Sequence, residues 1–432
     1  MPPAYYEVLD TASFGRRHAR LFALVSANYF LDGVIFSIAP LTVYIVAANY
    51  GPLVFALNLL SETAGALAFG RLADRFGRRR LFLVSLLLEA GALTALFPVY
   101  DNPLALALFT SIATFGIGGE FGAAYSALAE LSPARHRGKM LLLSTNFWNV
   151  GAAVIAFLSM KYTAIAGDPG SQVRLLLLTA ILTTIIVGLA RLGFPESPRW
   201  LIARGRIGEA RRLVTEITGY EGDILMEPSR STGISLGEAF SRYRFRIAVL
   251  AVVTVAQYVT YGIAAYYAPY ARGFSFGVES APVIVMVANA GASLGALPLA
   301  ALIDRSRKAA LLASFAGGTL TAFLIAALHG VGSYTAYLAV LFVNLFFSEW
   351  AWGSISALQS ELFPTNVRAS LVGFLVSLTG VTGALVVLAA SIIDATTFLL
   401  VSAILWLSGM LASLMWTLRG VESAGRGVES LE

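Results

Sequence analysis

Twelve long apolar runs dominate this sequence and limit what the chain can fold into. A bilayer core needs about 20 apolar residues per helix, and each run has roughly that length. Only 13% of the residues are charged, too few to cover the surface of a water-soluble protein of 432 residues. The sequence therefore predicts an all-α membrane protein with twelve transmembrane helices. We place the spans at 21–48, 52–72, 80–98, 103–130, 138–160, 172–193, 246–271, 280–303, 309–329, 334–361, 367–392 and 395–418.

Basic residues are distributed unequally between the two sides of these spans. If both termini are cytoplasmic, only Lys161, Arg174 and Arg272 of the 30 lysines and arginines lie on the opposite side. Cytoplasmic loops of membrane proteins carry such an excess of positive charge. We expect a multi-pass protein of the plasma membrane with cytoplasmic termini, in contact with the lipid bilayer. The same distribution accounts for the net charge of +5 without a nucleic-acid partner.

The one long polar stretch divides the spans six and six. Within it, Arg199–Gly219 has apolar residues among arginines, as in an amphipathic surface helix. We predict an N-terminal six-helix bundle at 1–193 and a cytoplasmic linker with this amphipathic helix at 194–245. A C-terminal six-helix bundle with a short cytoplasmic tail follows at 246–432.

Two motifs recur at corresponding span ends and indicate an internal repeat. The Asp-Arg pair at 74–75 returns at 304–305, 230 residues later, and the segment that begins at Glu130 returns at Glu361, 231 residues later. A near-constant offset predicts two six-helix repeats in parallel orientation. Transporters with such repeats bind their solute between them, near the bilayer midplane.

Residues that commonly form enzyme and metal sites are scarce. The chain has no cysteine, and its three histidines, His18, His136 and His329, are far apart in sequence. Thiol chemistry and a histidine metal site therefore have no basis. We see no nucleophile–base pair and expect no enzyme, no metal and no cofactor.

Three loop motifs resemble those of a known family. The sequence GRLADRFGRRR at 70–80 is similar to the loop between helices 2 and 3 of the major facilitator superfamily. PESPRWL at 195–201 and ELFPT at 361–365 are similar to elements of its sugar-porter branch, and Trp148 and Trp352 are shared with the niacin-like metabolite:proton symporters. The resemblance covers nearly the whole chain and implies the major facilitator fold and alternating access. We expect a monomer.

Charged residues in and near these loops are candidates for a gate. Arginines there can pair with carboxylates across the two halves of the bundle while the cytoplasmic side is closed, and a carboxylate can lie at a helix N-terminus. The alternative is that they only anchor the loops and set topology. The gating candidates are Asp74, Arg75, Arg78, Glu130, Arg137, Glu196, Arg199, Asp304, Arg305, Glu361 and Arg368.

Five acidic residues, Asp32, Glu62, Glu89, Glu120 and Glu349, fall inside the predicted spans. Each costs about 2.5–3.5 kcal/mol on insertion scales and needs a partner, water or a proton. No lysine or arginine lies comparably deep, which favours binding of protons or cations. Glu120 and Glu349 lie at similar depths of repeat-related spans that line the cavity in this architecture. We predict proton coupling for Asp32, Glu120 and Glu349, and a structural role for Glu89.

The resemblance also shows where this chain departs from the family. Sugar porters carry a protonatable aspartate near the position of Asp32 and pair it with an arginine in helix 4, where this chain has Thr110. Many niacin-like relatives have an arginine in helix 11 where this chain has Gly380. The glycines of Gly116–Glu120 resemble the glycine-rich helix 4 of the branch, and small residues there allow close helix packing.

Polar and aromatic residues within the spans predict a pocket for a small, moderately polar solute. Aromatic rings can stack on the face of a sugar or a cation. For each residue the alternative is an interhelical hydrogen bond or core packing. The substrate-binding candidates are Asn28, Tyr29, Asn146, Trp148, Asn149, Gln257, Tyr261, Tyr266, Asn289, Asn344, Trp352 and Gln359.

These features favour a proton-coupled secondary transporter of a small organic solute. Gln257 and the resemblance favour a sugar or related polyol. The excess of buried acids favours, as an alternative, the import or export of an organic cation or drug. A different class is a receptor or sensor that uses a transporter fold without transport; the short tail after Arg419 argues against it.

Overall fold

The computed structural model describes residues 2–227, 234–303 and 305–424, without the side chains at 70, 71, 74, 121–123, 125, 126, 365, 366 and 369. Two predicted gating carboxylates, Asp74 and Asp304, therefore lie outside the described side chains. Its α-helices are α1 Tyr5–Thr11, α2 Arg16–Val46, α3 Gly51–Phe76, α4 Arg78–Leu96, α5 Pro103–Leu131, α6 Ala134–Thr145, α7 Phe147–Ile165, α8 Pro169–Arg191, α9 Pro198–Ala203, α10 Ile207–Thr218, α11 Leu236–Arg242, α12 Arg244–Gly262, α13 Ala281–Leu302, α14 Arg307–Val331, α15 Tyr334–Glu361, α16 Thr365–Ala389 and α17 Ala395–Arg419.

Twelve membrane spans are present in the described ranges, which confirms the predicted number. They are α2, α3, α4, α5, α6 with α7, α8, and α12 to α17. An even number of spans puts both termini at one end of the bundle. We call this end the proximal end and the opposite end the distal end.

Two predicted helices are interrupted in the structure. The fifth span tightens at Asn146, whose backbone carbonyl accepts the N–H of Asn149 three residues on, and this separates α6 from α7. The amphipathic stretch Arg199–Gly219, predicted as one helix, forms α9 and α10. Between them Gly205 has φ +73°, a left-handed conformation that ends a helix and that glycine adopts without steric cost.

Polar side chains cap several helices where they begin at the distal end. Asn102, Asp168 and Asp394 accept backbone N–H groups of the first turn of α5, α8 and α17. Hydrogen bonds from the side chain and backbone of Ser171 hold the pKa of Asp168 below its ordinary value. These caps satisfy N–H groups that have no partner within the helix.

Glycines bring helices into backbone contact at matching places in the two halves. A Cβ atom at Gly118 on α5 would collide with the carbonyl oxygen of Glu62 on α3. In the second half, a Cβ at Gly291 on α13 would collide with the carbonyl oxygen of Phe342 on α15. The glycines in span 4 therefore serve close packing, as small residues commonly do between membrane helices.

The two halves meet along α3 with α16 and along α7 with α13. Gly380 on α16 faces Thr63 and the carbonyl of Leu59, and any larger side chain there would collide with Thr63. At the distal end, Phe55 stacks on Tyr267 with ring centroids 5.0 Å apart. The hydroxyl of Tyr270 donates to the carbonyl of Pro40. Among the described residues, hydrogen bonds between the halves lie from mid-span to this distal end.

Candidate transport site

A cavity lies between the two halves of the bundle. Its walls are formed mainly by aromatic and aliphatic side chains, with a few amides and carboxylates from both halves. This is the composition of pockets that bind small organic molecules. Seven of the predicted site residues line the cavity: Trp148, Asn149, Gln257, Tyr261, Tyr266, Glu349 and Trp352.

A hydrogen-bond network joins the halves across the cavity. Asn149 on α7 donates through Nδ2 to Oε2 of Glu349 on α15, at 3.0 Å. The hydroxyl of Tyr261 lies 3.1 Å from Oδ1 of Asn149 and 2.7 Å from Oδ1 of Asn289. Movement of one half against the other must therefore break or stretch the bonds at Asn149.

Two acceptor atoms in the cavity wall have no hydrogen-bond partner among the described residues. Gln257 donates through Nε2 to the backbone and hydroxyl oxygens of Ser348, and this leaves its Oε1 unbonded. Glu349 uses Oε2 for Asn149, and its Oε1 is likewise unbonded. Buried acceptors are normally satisfied, so these two atoms suit hydrogen-bond donors of a solute.

Glu62 also lines the cavity, on the side formed by α3. Its Oε2 accepts a hydrogen bond of 2.9 Å from the hydroxyl of Tyr258 on α12. Sequence reasoning noted this acid within a span but left it out of the predicted site. The sequence feature that could have identified Glu62 as a site residue is its position in an apolar run.

The other substrate-binding candidates are not among the residues that line the described cavity. Asn28 donates to Asp32, Asn146 donates to Ser293, Asn289 supports Tyr261, and Tyr29 is fully buried. Asn344 donates to Gly318 and Thr321 of α14, and Gln359 donates to Thr254 of α12. The structure thus shows hydrogen bonds between helices or core packing for these residues, and for Asn28 a hydrogen bond within α2.

The expectation that no basic residue lies deep in the spans is wrong. Arg191 ends α8, and its guanidinium forms a two-point ion pair with Glu120, with Nη2 2.7 Å from Oε2. Both side chains are at most 1% exposed. The long arginine side chain reaches inward from the helix end and lies 4.5 Å from the ring centroid of Phe82.

The expectation that Glu120 lines the cavity beside Glu349 is also wrong. Glu120 faces away from the cavity, into the first six spans, where Ser85 on α4 and Arg191 on α8 donate to it. Asp32 lies with it, because the carboxylate oxygens of Asp32, Glu89 and Glu120 come within 4.8 Å of one another. Similar depth along repeat-related helices did not place the two glutamates on equivalent faces.

Ion pairs and caps hold the proximal loops of the first half. Arg78 pairs with Glu130 at 2.7 Å, and the hydroxyl of Ser197 donates to the other carboxylate oxygen of Glu130. Glu196 accepts the backbone N–H groups of Arg78 and Arg79, and so caps α4. The predicted residues Arg78, Glu130 and Glu196 thus form one cluster.

The second half repeats this cluster with residues that sequence reasoning missed. Arg307 pairs with Glu361 at 3.0 Å, and Ser423 donates to Glu361. Glu422 accepts the backbone N–H of Arg307 and the hydroxyl of Ser306. The available signal was the Glu-Ser pair at 422–423, which follows the last span as Glu-Ser at 196–197 follows the sixth.

Charge on Glu422 is stabilised at this position. Burial alone would raise the pKa of Glu422, but hydrogen bonds from Ser306 and from the backbone N–H groups of Ala424, Arg307 and Lys308 hold it below its ordinary value. Anions at a helix N-terminus are favoured by the same groups.

The described ion pairs near the proximal end lie within one half or involve the linker, and none of them joins the two halves as expected. Arg137 pairs with Asp10, Arg368 donates to the carbonyl of Phe363, and Arg75 lies over the ring of Phe76. Arg199 and Arg305 are exposed. Each cluster ties the ends of neighbouring helices together, so the described ion pairs favour each half moving as a unit.

A twelve-span bundle with a cavity between its halves defines a polytopic membrane transport protein. Residues 37–432 match the family described as "Sugar (and other) transporter". The chain belongs to this family, and it is a transporter rather than an enzyme.

Relatives and solved structures agree with this assignment. The chain is 28% identical over 379 residues to the inner membrane metabolite transport protein YgcS of Escherichia coli, covering 85% of this chain and 82% of YgcS. It is 28% identical over 377 residues to the niacin transporter NiaP of Acinetobacter baylyi, covering 84% of each. The structure of the proton:xylose symporter XylE, at 16% identity, matches the fold with a TM-score of 0.71 and covers 96% of this chain and 98% of XylE.

Proposed function

We propose that this protein is a proton-coupled secondary transporter that moves a small polar organic solute, with a sugar or related polyol as the first candidate. The observation that carries the proposal is the cavity between the halves, where Gln257 and Glu349 present unbonded acceptors. Sugar hydroxyls are donors that match such acceptors, and the rings of Trp148, Tyr261 and Trp352 offer faces for stacking. The names of the relatives, a metabolite transporter and a niacin transporter, support a solute of this size.

The mechanism that we propose is alternating access. Residues 1–193 rock against 246–418, with the linker 194–245 on the cytoplasmic side. The aromatic contacts and the Tyr270–Pro40 hydrogen bond close the distal end, and they must separate to open it. We place both termini in the cytoplasm, from the distribution of basic residues, and the protein as a monomer in the plasma membrane.

A second candidate solute is an organic cation. Glu62 and Glu349 both line the cavity, while the residues that line it in the described part of the chain include no lysine, arginine or histidine. Tyrosine and tryptophan rings surround the two carboxylates, and aromatic faces attract cations. A weak base of moderate size would neutralise the cavity when it binds.

A thermal-shift panel on the purified protein separates the two candidates. Sugars, polyols and organic cations are tested at acidic and alkaline pH, because a ligand of the folded state raises the melting temperature by mass action. Stabilisation by a sugar at acidic pH that is lost in Gln257→Leu supports the first candidate. Stabilisation by a cation at alkaline pH that is lost in Glu349→Gln supports the second.

The control for Gln257→Leu is Gln359→Leu. Gln359 is an amide in the same half, bonded to Thr254 and outside the cavity lining. Both variants lose the interhelical hydrogen bonding of an amide, two bonds to Ser348 for Gln257 and one to Thr254 for Gln359, but only Gln257→Leu removes a group from the cavity. Equal loss of solute stabilisation in both variants would contradict the assignment of this cavity as the solute site.

A further inference from the structure

Three acidic side chains from three helices meet inside the first six spans, apart from the solute cavity. Asp32 on α2, Glu89 on α4 and Glu120 on α5 are fully buried. Each offers a carboxylate oxygen, and these oxygens lie within 4.8 Å of one another. Arg191 from α8 is the basic group beside them.

The three acids differ sharply in how well their oxygen atoms are satisfied. Glu120 receives both ends of the Arg191 guanidinium and the hydroxyl of Ser85. Asp32 accepts one hydrogen bond of 3.0 Å from Asn28 through Oδ2, and its Oδ1 receives no donor from the described residues. Neither oxygen of Glu89 receives a donor from the described residues, although the side chain is fully buried and lies against the carboxylate of Glu120.

The cluster contains three carboxyl groups but one described basic group. Arg191 neutralises Glu120, and this leaves two carboxylates in an apolar interior with no further cation beside them in the described part of the chain. Burying an unpaired charge is expensive, whereas a protonated carboxyl group is neutral and can also donate a hydrogen bond. Two protons, one on Asp32 and one on Glu89, would make the cluster neutral and supply the missing donors.

Charged groups on several neighbouring helices influence the protonation of Asp32 and Glu89. The charges of Glu120 on α5 and Arg191 on α8 affect both acids, and the charge of Asp32 also affects Glu89. Glu62 on α3 acts on Asp32 from the direction of the cavity. At position 110 on α5, Thr110 donates to Asn58 and to the carbonyl of Leu106, so the positive charge near Asp32 comes from α8 instead.

The resemblance to sugar porters already makes Asp32 a candidate for proton coupling. We propose that Glu89 joins Asp32 in one proton-binding site, that the Glu120–Arg191 pair holds this site, and that the two acids together carry the coupling proton. Glu120 and Arg191 are positioning residues, because they remain paired while the other two exchange protons. The coupling role rests on the proposed function, but the existence of the site does not. Glu89, which sequence reasoning considered structural, becomes a group that gains and loses a proton.

Infrared difference spectroscopy of the purified protein tests the site without any solute. Protonated carboxyl groups absorb apart from carboxylates, and the signal is recorded as pH is raised. We expect the wild type to show buried carboxylic acid that titrates, and Glu89→Gln and Asp32→Asn each to lose one such band. Glu238→Gln, a change at an exposed glutamate in the linker, should alter nothing. Glu89→Asp should shift the band rather than remove it, which serves if Glu89→Gln fails to fold.

Two further experiments distinguish the role of Glu120 from that of the proton-binding acids, and proton binding from sodium binding. In Glu120→Gln the freed Arg191 pairs with Asp32 or Glu89, so one carboxylic acid band should disappear although Glu120 itself contributes none. Replacing potassium by sodium ions at constant pH should leave the bands unchanged; their loss would mean that the cluster binds sodium, and would overturn the proposal. Absence of any band assignable to Asp32 or Glu89 would overturn it as well, whether or not the protein transports a solute.

Discussion

Replacing Arg191 by methionine should destabilise the protein strongly, because it leaves Glu120 without its partner in a site that excludes water. Removal of one member of a buried ion pair costs about 3–5 kcal/mol, or about two to four orders of magnitude in the unfolding equilibrium. Solvent does not screen this ion pair, because both side chains are at most 1% exposed. The contact of the guanidinium with the Phe82 ring adds to the loss.

The assay is thermal unfolding of the detergent-purified protein, followed by the fluorescence of its six tryptophans. Arg191→Met should melt well below the wild type. The double variant Arg191→Met/Glu120→Gln removes both charges and should recover most of the loss. A single variant as stable as the wild type, or a double variant less stable than both single variants, would refute the reasoning.

Three further predictions concern the ends and the interface of the bundle. Glu422→Gln should lower the stability by about 1 kcal/mol in a melting experiment, because it weakens the cap of α14. The contribution of Glu422 is present above the ordinary pKa of a glutamate, about 4.3, and should be lost only as pH falls through its lower folded value; a loss already at neutral pH would contradict this. Gly380→Arg should prevent α16 from packing on α3 at Thr63, so the purified variant should aggregate in size-exclusion chromatography. Cysteines at Phe55 and Tyr267, in a chain that has no other cysteine, should be joined by a thiol cross-linker that blocks solute exchange until it is cleaved; undiminished exchange after complete cross-linking would exclude opening of the distal end.

The twelve spans and their arrangement in repeats could be predicted because they depend on patterns that the sequence displays directly. Apolar length marks each helix, and the near-constant offset marks the duplication. The interruptions at Asn146 and Gly205 could not be predicted in the same way. Each depends on the conformation of one residue within a segment whose composition still favours a helix.

The sequence predicted only some of the residues that line the cavity. Gln257 and Gln359 are both amides on spans of the second half, but the first faces the cavity and the second bonds to a neighbouring helix. Which face of a membrane helix points inward depends on how all twelve helices pack. Residue type and depth alone could not separate these two positions.

The cluster around Arg191 was missed for a related reason. In sequence Arg191 lies at the end of a span, where arginines commonly extend towards the membrane surface. Here its side chain turns inward to Glu120, a contact 71 residues away in the chain. An acid inside a span signals that some partner is needed, but it does not indicate which helix supplies that partner.

The most direct test of the account is transport by the protein in sealed liposomes, with a solute chosen by the thermal-shift panel and an imposed proton gradient as the only driving force. We expect solute to accumulate above its equilibrium level, and a protonophore to abolish the accumulation. Gln257→Leu should lose the flux, while Gln359→Leu retains it. Binding of the solute to the wild type without any flux across the membrane would contradict the account and would indicate a receptor built on a transporter fold.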